Sequence, residues 1–162
     1  MNPHGVTLSK FTPLSLEQLE ADALTLDEID QELFPFFEEE ARAELKAIEE
    51  TLHVWGKSET TLKDLGRQFH TLKGAANSIG HLRIGALAAG MKELLEHINP
   101  AHTSDLGPQI IKTNILVIQT IRALLQEARA PQYNPVKKEN ITAAVRSILR
   151  LQEMEANLQV AS

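Results

Sequence analysis

The apolar residues between positions 62 and 79 recur at alternating steps of three and four, which restricts this segment to an amphipathic helix. Side chains three, four and seven positions apart share one face of an α-helix. The recurring residues are Leu62, Leu65, Phe69, Leu72, Ala76 and Ile79. The pattern therefore predicts a helix whose apolar seam packs on a neighbouring element.

His70 lies beside this seam and not on it. The residues that share its helix face are Gly66, Lys73, Gly74 and Asn77, so the surface around the imidazole is predicted to be small, polar and basic. A glycine inside a helix costs about 1 kcal/mol relative to alanine. We interpret Gly66 and Gly74 as clearing space for a partner backbone or a tetrahedral group, and Lys73 as a cation suited to phosphate.

The composition favours an all-α protein. Hydrophobic residues make up 43% of the chain and aromatic residues only 4%, and the abundance of leucine, alanine and glutamate is typical of helices. No segment has the pattern of a β-hairpin or a βαβ unit. A length of 162 residues fits one ordinary domain with tails.

Charge and cysteine content narrow the classes of partner and compartment. The formal net charge of −6 disfavours nucleic-acid binding, which usually needs a basic surface. The chain has no cysteine, which fits a reducing compartment. It has no signal-peptide pattern at its start and no run of the roughly 20 apolar residues that cross a bilayer. We therefore expect a cytoplasmic protein without membrane insertion.

Proline and glycine divide the chain into helical segments. The predicted helices cover residues 15–23, 27–55, 61–80, 82–98, 105–128 and 138–158. The start of the third is placed between Ser58 and Thr61, that of the fourth at His81 or Leu82, and that of the fifth at Asp105 or Pro108. Residues 1–26 are predicted to be a leader with room for the short first helix. Residues 27–128 should form an antiparallel four-helix bundle, and residues 129–162 a linker and a C-terminal helix that either caps the bundle or extends from it.

The short connection at Gly80 predicts an antiparallel hairpin of the two central helices. If the turn centres on Gly80 and His81, His70 lies level with residues 90–92. The second arm is rich in small residues, namely Gly85, Ala86, Ala88, Ala89 and Gly90. A close approach of the two helices is the expected consequence.

The run from His70 to Gly80, with Leu72, Lys73 and Gly74 in place, resembles the signature of histidine phosphotransfer (HPt) domains, the four-helix modules of two-component relays. Phe69 before the histidine, Leu94-Leu95-Glu96 on the next helix and Leu52-His53-Val54-Trp55 at the end of the acidic helix are most similar to the modules of chemotaxis-type kinases and their pilus-motility relatives. The resemblance covers about residues 27–128.

This resemblance implies a phosphoryl carrier and not an enzyme. His70 would accept a phosphoryl group on Nε2 and pass it to an aspartate of a response-regulator receiver domain. Lys73 would neutralise phosphoryl oxygens and Gly74 would leave room for them. The implied partners are a histidine kinase and that receiver, which brings its own Mg²⁺; the chain itself would be a monomer without a cofactor.

Two further expectations concern the surface around His70. Docking of a partner is predicted on the exposed face that carries Gly66, Gln68, Thr71, Gly74 and Asn77 and on the apolar margin beside it. The family usually places a glutamate or glutamine level with the histidine to hold Nδ1, but spacing puts Lys92 there, with Glu93 beside it. A charged lysine cannot accept that hydrogen bond, so we hypothesise that the imidazole is less firmly oriented.

Three other interpretations of the chain are weaker. No nucleotide-binding loop or nucleophile elbow supports an enzyme. A second interpretation is a helical scaffold that binds a signalling partner without carrying phosphate. Its support is Lys92, which stands where the family usually has glutamate or glutamine. An axial cofactor ligand would need His70 to face the core. His53, His81, His97 and His102 have no metal-ligand spacing and are interpreted as ordinary histidines, so no metal site is expected.

Overall fold

The computed structural model describes residues 13–56, 60–133 and 135–161, and within these ranges every regular element is helical. The all-α prediction is therefore confirmed. The helices are α1 (Leu16–Ala23), α2 (Phe34–His53), α3 (Thr61–Ser78), α4 (Leu82–His97), α5 (Thr103–Arg129) and α6 (Lys138–Ala161), with a one-turn 3-10 helix at Pro100–His102 before α5. The first twelve residues of the expected leader lie outside the described residues.

Helices α2, α3, α4 and α5 form the expected bundle. The contacts run from α2 to α3, from α3 to α4, from α4 to α5 and back from α5 to α2. Its interior is aliphatic, with Phe69 the largest side chain that is fully buried. Further buried residues include Leu45 and Ile48 from α2, Leu65 and Leu72 from α3, Leu87, Met91 and Leu94 from α4, and Ile110, Ile121 and Leu124 from α5.

Helices α1 and α6 share this core. Leu19 and Ala23 of α1 and Val145 and Ile148 of α6 are buried in the same cluster, and α6 contacts α5, α4 and α1. The entry to α1 is tied to α6 because Leu14 and Gln152 exchange two hydrogen bonds of 2.8 and 3.1 Å. Of the two roles expected for the last helix, the structure shows the one in which it packs on the bundle.

A buried polar pair fastens α6 to the corner between α4 and α5. His102 Nδ1 lies 2.7 Å from Glu155 Oε1. The second carboxylate oxygen of Glu155 accepts hydrogen bonds from the backbone N–H of Asn99 at 3.1 Å and from Gln159 at 2.8 Å. Because Glu155 is only 4% exposed, these partners replace the water that its carboxylate loses on burial.

The start of α2 was predicted wrongly. The helix begins at Phe34 and not near residue 27. Asp30 accepts hydrogen bonds from the backbone N–H groups of Glu32 and Leu33 at 3.1 and 3.2 Å, which closes a turn, and Pro35 occupies the first helical turn, where its missing N–H costs nothing. Residues 24–33 instead cross the end of the α3–α4 hairpin.

Gly80 is the contact point between that crossing segment and the hairpin. Its φ of +82° lies in the left-handed region that favours glycine. The backbone N–H groups of Glu28 and Asp30 donate to the carbonyls of Gly80 and Ile79 at 2.9 and 2.8 Å. A Cβ on Gly80 would lie only 1.9 Å from the carbonyl oxygen of Glu28, so no larger residue fits without moving the crossing segment.

Arg83 joins three parts of the chain at the same end of the bundle. Its guanidinium donates two hydrogen bonds to Asp27 Oδ2 at 2.9 and 2.7 Å and a further one to Glu127 on α5. The other oxygen of Glu127 accepts from the backbone N–H of Val136 at 2.6 Å. The crossing segment, the hairpin and the connection from α5 to α6 are therefore held by one ionic network.

We predict that Gly80→Ala lowers the free energy of unfolding by about 3 kcal/mol or more, because the new methyl group meets backbone and the required φ is strained. Denaturant unfolding measures the change. Gly74→Ala is the matched control. No atom lies within 4 Å of a Cβ at that position, so alanine should raise stability by up to about 1 kcal/mol. Equal effects of the two substitutions would contradict the assigned role of Gly80.

His81 caps α4 from a fully buried position. Its Nδ1 accepts from the backbone N–H of Ile84 at 3.4 Å and lies 3.5 Å from Asp27 Oδ1. Burial lowers the pKa of the imidazole below its ordinary 6.5; Asp27 acts in the opposite direction, and Arg83 adds to the lowering. The folded protein therefore takes up a proton on His81 at a lower pH than the unfolded chain does.

This difference predicts a pH dependence of stability. The contribution of His81 is complete above pH 6.5 and is lost as the pH falls from there towards the lower folded pKa, because the unfolded chain then binds more protons. His81→Asn keeps a capping side chain without the titration. Its unfolding free energy should therefore fall less than that of the wild type between about pH 7 and 5. His53→Asn, on the exposed end of α2, should keep the wild-type slope; an unchanged slope in His81→Asn would contradict the assignment.

Candidate functional site

Helix α3 places His70 on the outside of the bundle. Thr60 precedes the helix, and its hydroxyl donates to Asp64 Oδ2 at 3.1 Å. All six residues of the predicted apolar seam are buried, among them Phe69 with no exposed surface. Because successive residues of a helix are rotated by about 100°, burying Phe69 turns His70 outward. The structure confirms that His70 is exposed.

No side chain in the described part of the chain holds the His70 imidazole. It forms no hydrogen bond or ion pair there. The neighbouring turn towards the C-terminus is open, because nothing lies within 4 Å of a Cβ built on Gly74. Lys73, half-buried one turn from the histidine, has no acidic partner among the described residues. An exposed nitrogen therefore lies beside open space and an uncompensated cation.

Gly66 does not provide the open space expected of it. This glycine is buried, and a Cβ built on it would lie 3.2 Å from Cγ of Glu96 on α4. The space that a side chain would occupy is therefore filled by Glu96, which leans across α3. The expected open space is therefore present beside Gly74 and filled beside Gly66.

The other residues expected at the docking face have different surroundings. Thr71 is exposed, and its hydroxyl donates to the Arg67 carbonyl at 3.2 Å. Gln68 is turned towards α2, where its amide donates to the Thr51 hydroxyl at 3.0 Å. Asn77 is exposed but packs against α4, since a Cβ on Gly85 would lie 1.9 Å from its Oδ1. Of these three side chains, Thr71 is the one whose hydrogen bond stays within its own helix.

A groove between α3 and α4 begins at His70, and we call it the α3–α4 groove. Its apolar lining comes from Leu62, Leu95, Ile98 and Pro100, and its polar lining from Lys63, Arg67, His70, Lys92 and Glu96. Three cations and one carboxylate thus line the groove, and two further carboxylates, Asp64 and Glu93, pair with Arg67 and Lys92 at 3.4 Å each. Cations therefore lie close to His70 in a chain that is acidic as a whole.

Lys92 lies in this groove together with His70, as the register of the hairpin predicted. Its ammonium pairs with Glu96 Oε1 at 3.2 Å and with Glu93 Oε1 at 3.4 Å. The hydrogen bond that it donates to Glu96 raises the pKa of Lys92 above the ordinary value, and Glu93 adds to the effect. Lys92 is therefore positively charged at neutral pH. Glu93 is half exposed and does not line the groove.

Glu96 was not predicted as a groove residue. The register of the hairpin singled out positions level with His70, whereas Glu96 lies one turn further along α4 and packs over Gly66. The available signal was the spacing of Lys92 and Glu96, which places opposite charges four residues apart on a helix. Combined with a glycine on the facing helix, that spacing could have indicated a carboxylate leaning across the hairpin.

The described residues contain no group of three or more histidine, cysteine, aspartate or glutamate side chains arranged to hold a metal ion. None of their helices is long and apolar enough to cross a bilayer.

Comparison with protein-family models matches residues 32–131 to the Hpt domain. The match spans α2, α3, α4 and α5 and includes His70 and the α3–α4 groove. The comparisons with curated proteins and with solved structures give no match. Because the matched segment covers more than half of the 162 residues, the chain belongs to the Hpt domain family.

Proposed function

We propose that this Hpt domain acts in a phosphorelay by carrying a phosphoryl group on Nε2 of His70. The observation that supports this most strongly is the exposed imidazole on α3, which lies beside the open space over Gly74 and near Lys73; neither side chain has a hydrogen-bond or ionic partner among the described residues. A neutral imidazole is a good nitrogen nucleophile near neutral pH. Membership of the Hpt domain family supports a role in phosphotransfer.

The transfer needs little catalytic machinery from this chain. In the loading step the lone pair of Nε2 attacks phosphorus, a P–N bond forms, and the donor's bond to phosphorus breaks with its electron pair. In the unloading step a receiver carboxylate oxygen attacks phosphorus and the imidazole leaves. Phosphoryl transfer depends mainly on positioning and charge neutralisation, and Lys73 is placed to supply charge. Mg²⁺ would be brought by the receiver, so this chain needs no cofactor and acts as a carrier.

The α3–α4 groove is the surface best suited to dock the receiver and the kinase. Its lining combines apolar side chains, which include Leu62 and Leu95, with cations, and His70 lies at one end of it. Transient signalling complexes often bury small interfaces, which suits a groove of this kind. Thr71 and Gly74 lie exposed beside it and stay predicted contacts. Gly66, Gln68 and Asn77 are less suited to this role, because each packs against another helix of the chain.

The sequence resemblance to chemotaxis-type and pilus-motility modules makes a histidine kinase of that class the proposed phosphodonor. The cytoplasmic location and the monomeric state likewise remain predictions from the sequence. The competing hypothesis is a scaffold that binds a signalling partner without carrying phosphate. It has the lysine at position 92 as its support, and it predicts normal signalling after loss of His70.

We predict that His70→Gln abolishes phosphorylation. Incubation with a phosphodonor histidine kinase and radiolabelled ATP should label the wild type, and the label should be lost in acid and survive alkali, as expected of a phosphohistidine. His53→Gln is the control, because His53 is also exposed on a helix but lies outside the α3–α4 groove. Equal labelling of His70→Gln and the wild type would contradict the proposal.

A second prediction concerns Lys73. Lys73→Ala should slow phosphoryl transfer to a receiver by roughly tenfold, the effect of removing one charge-assisted contact worth about 1.4 kcal/mol. Rapid-quench measurement of label transfer gives the rate. Lys46→Ala, an exposed lysine of α2, should transfer at the wild-type rate. If Lys73→Ala also transferred at that rate, Lys73 would have no part in neutralising the phosphoryl group.

A further inference from the structure

The residue that faces His70 from α4 is a cation held in place from two sides. Lys92 is the least exposed member of its ion-pair cluster, with 18% of its side chain accessible against 47% for Glu96 and 51% for Glu93. Its ammonium is fixed by Glu96 at 3.2 Å and by Glu93 at 3.4 Å. Since an ammonium has three donors, two carboxylate contacts leave one donor for a further acceptor.

Glu96 controls where this ammonium lies. The side chain of Glu96 passes 3.2 Å from the Cβ position of Gly66, which is one turn before His70 on α3. A larger residue at position 66 would push Glu96 away from α3. The glycine, the glutamate and the lysine therefore act together, and they hold a positive charge on the His70 side of the hairpin.

Cations from both helices line the α3–α4 groove. Lys63, Arg67 and Lys92 contribute three positive charges, and Glu96 contributes one negative charge. Arg67 is paired with Asp64 at 3.4 Å and is largely exposed, with 66% of its side chain accessible. Lys92 is less exposed at 18%, and the two carboxylates that pair with it raise its pKa and keep it charged.

We propose that Lys92, oriented by Glu96, binds the phosphoryl group carried on His70 as a second cation opposite Lys73. This inference rests on the proposed phosphorylation of His70. It assigns position 92 a different task from orientation of the imidazole: Lys92 contacts phosphoryl oxygens after transfer and does not hold Nδ1 before it. The phosphoryl group then lies between one cation from each arm of the hairpin.

The test uses phosphoramidate as a kinase-independent donor and ³¹P NMR as the readout. The imidazole displaces ammonia from phosphorus, so that one P–N bond forms as another breaks. The second ionisation of the phosphoryl group is then titrated through its ³¹P chemical shift. A nearby cation favours the dianion. Lys92→Gln should therefore raise the pKa of that ionisation by about 0.5, which is roughly a threefold decrease in the ionisation constant.

Three further variants make the outcome specific. Lys92→Arg keeps the charge and should titrate close to the wild type. Glu96→Asp keeps the negative charge but shortens the side chain that orients Lys92, and it should give an intermediate pKa. Lys112→Gln, an exposed lysine of α5 outside the groove, should leave the pKa unchanged. Circular dichroism melts of all four variants establish that each is folded at the temperature of the titration.

The possible failures are distinguishable. If wild-type His70 takes no phosphoryl group from phosphoramidate or from a kinase, the proposed function falls and this inference falls with it. If the wild type is loaded and Lys92→Gln titrates identically, only the inference is overturned. If Lys92→Gln is loaded faster with an unchanged phosphoryl pKa, glutamine is acting as the missing acceptor for Nδ1. That result would support a role of position 92 in orienting the imidazole, in place of phosphoryl binding by Lys92.

Discussion

The packing of α3 against α4 is the constraint on which the rest of the structure depends. The two helices are joined by a turn that needs a positive φ at Gly80 and the absence of a Cβ there. The turn fixes the register, and the register fixes which residues of the second arm stand beside His70. Burial of Phe69 in the core of the bundle turns the next residue, His70, outwards. Exposure of the histidine and the identity of its neighbours thus follow from one hairpin.

Two polar clusters hold the outer segments of the chain onto this hairpin. Arg83 links the crossing segment, α4 and α5 at one end, and the pair of His102 and Glu155 links α6 to the corner before α5. Removing one member of such a cluster leaves a buried charge without its partner. The resulting loss of stability is larger than the net stability that the intact cluster contributes. None of these residues lines the α3–α4 groove, so the outer segments support the histidine helix without occupying its surface.

Much of this arrangement could be predicted from local sequence. The three-and-four spacing gives the seam of α3 and the exposure of His70, and glycine and proline mark most helix ends. The start of α2 was missed because Asp27 continues a helical pattern but is used by Arg83, a contact between distant residues that spacing cannot reveal. Asp30 and Pro35 were local signals for the true start. The burial of Gly66 was missed because it depends on how Glu96 leans from another helix.

The site places several cations close to His70 in a protein that is acidic as a whole. The formal net charge of the chain is −6, yet Lys63, Arg67, Lys73 and Lys92 lie on the His70 side of the hairpin or beside it. A phosphoryl group is stabilised by cations placed close to it, whereas distant surface charge is screened within about 10 Å at ordinary salt. The few local lysines therefore matter more for a phosphoryl group on His70 than the overall charge does.

The most direct test of the central claim is a long-range ¹H–¹⁵N NMR spectrum of the six imidazoles, recorded before and after treatment with a phosphodonor. The account predicts that Nε2 of His70 changes its shift and couples to phosphorus. It also predicts that the buried imidazoles of His81 and His102 keep their signals. Phosphorylation of a different histidine, or of none while the donor loads a known phosphohistidine protein in the same tube, would contradict the account.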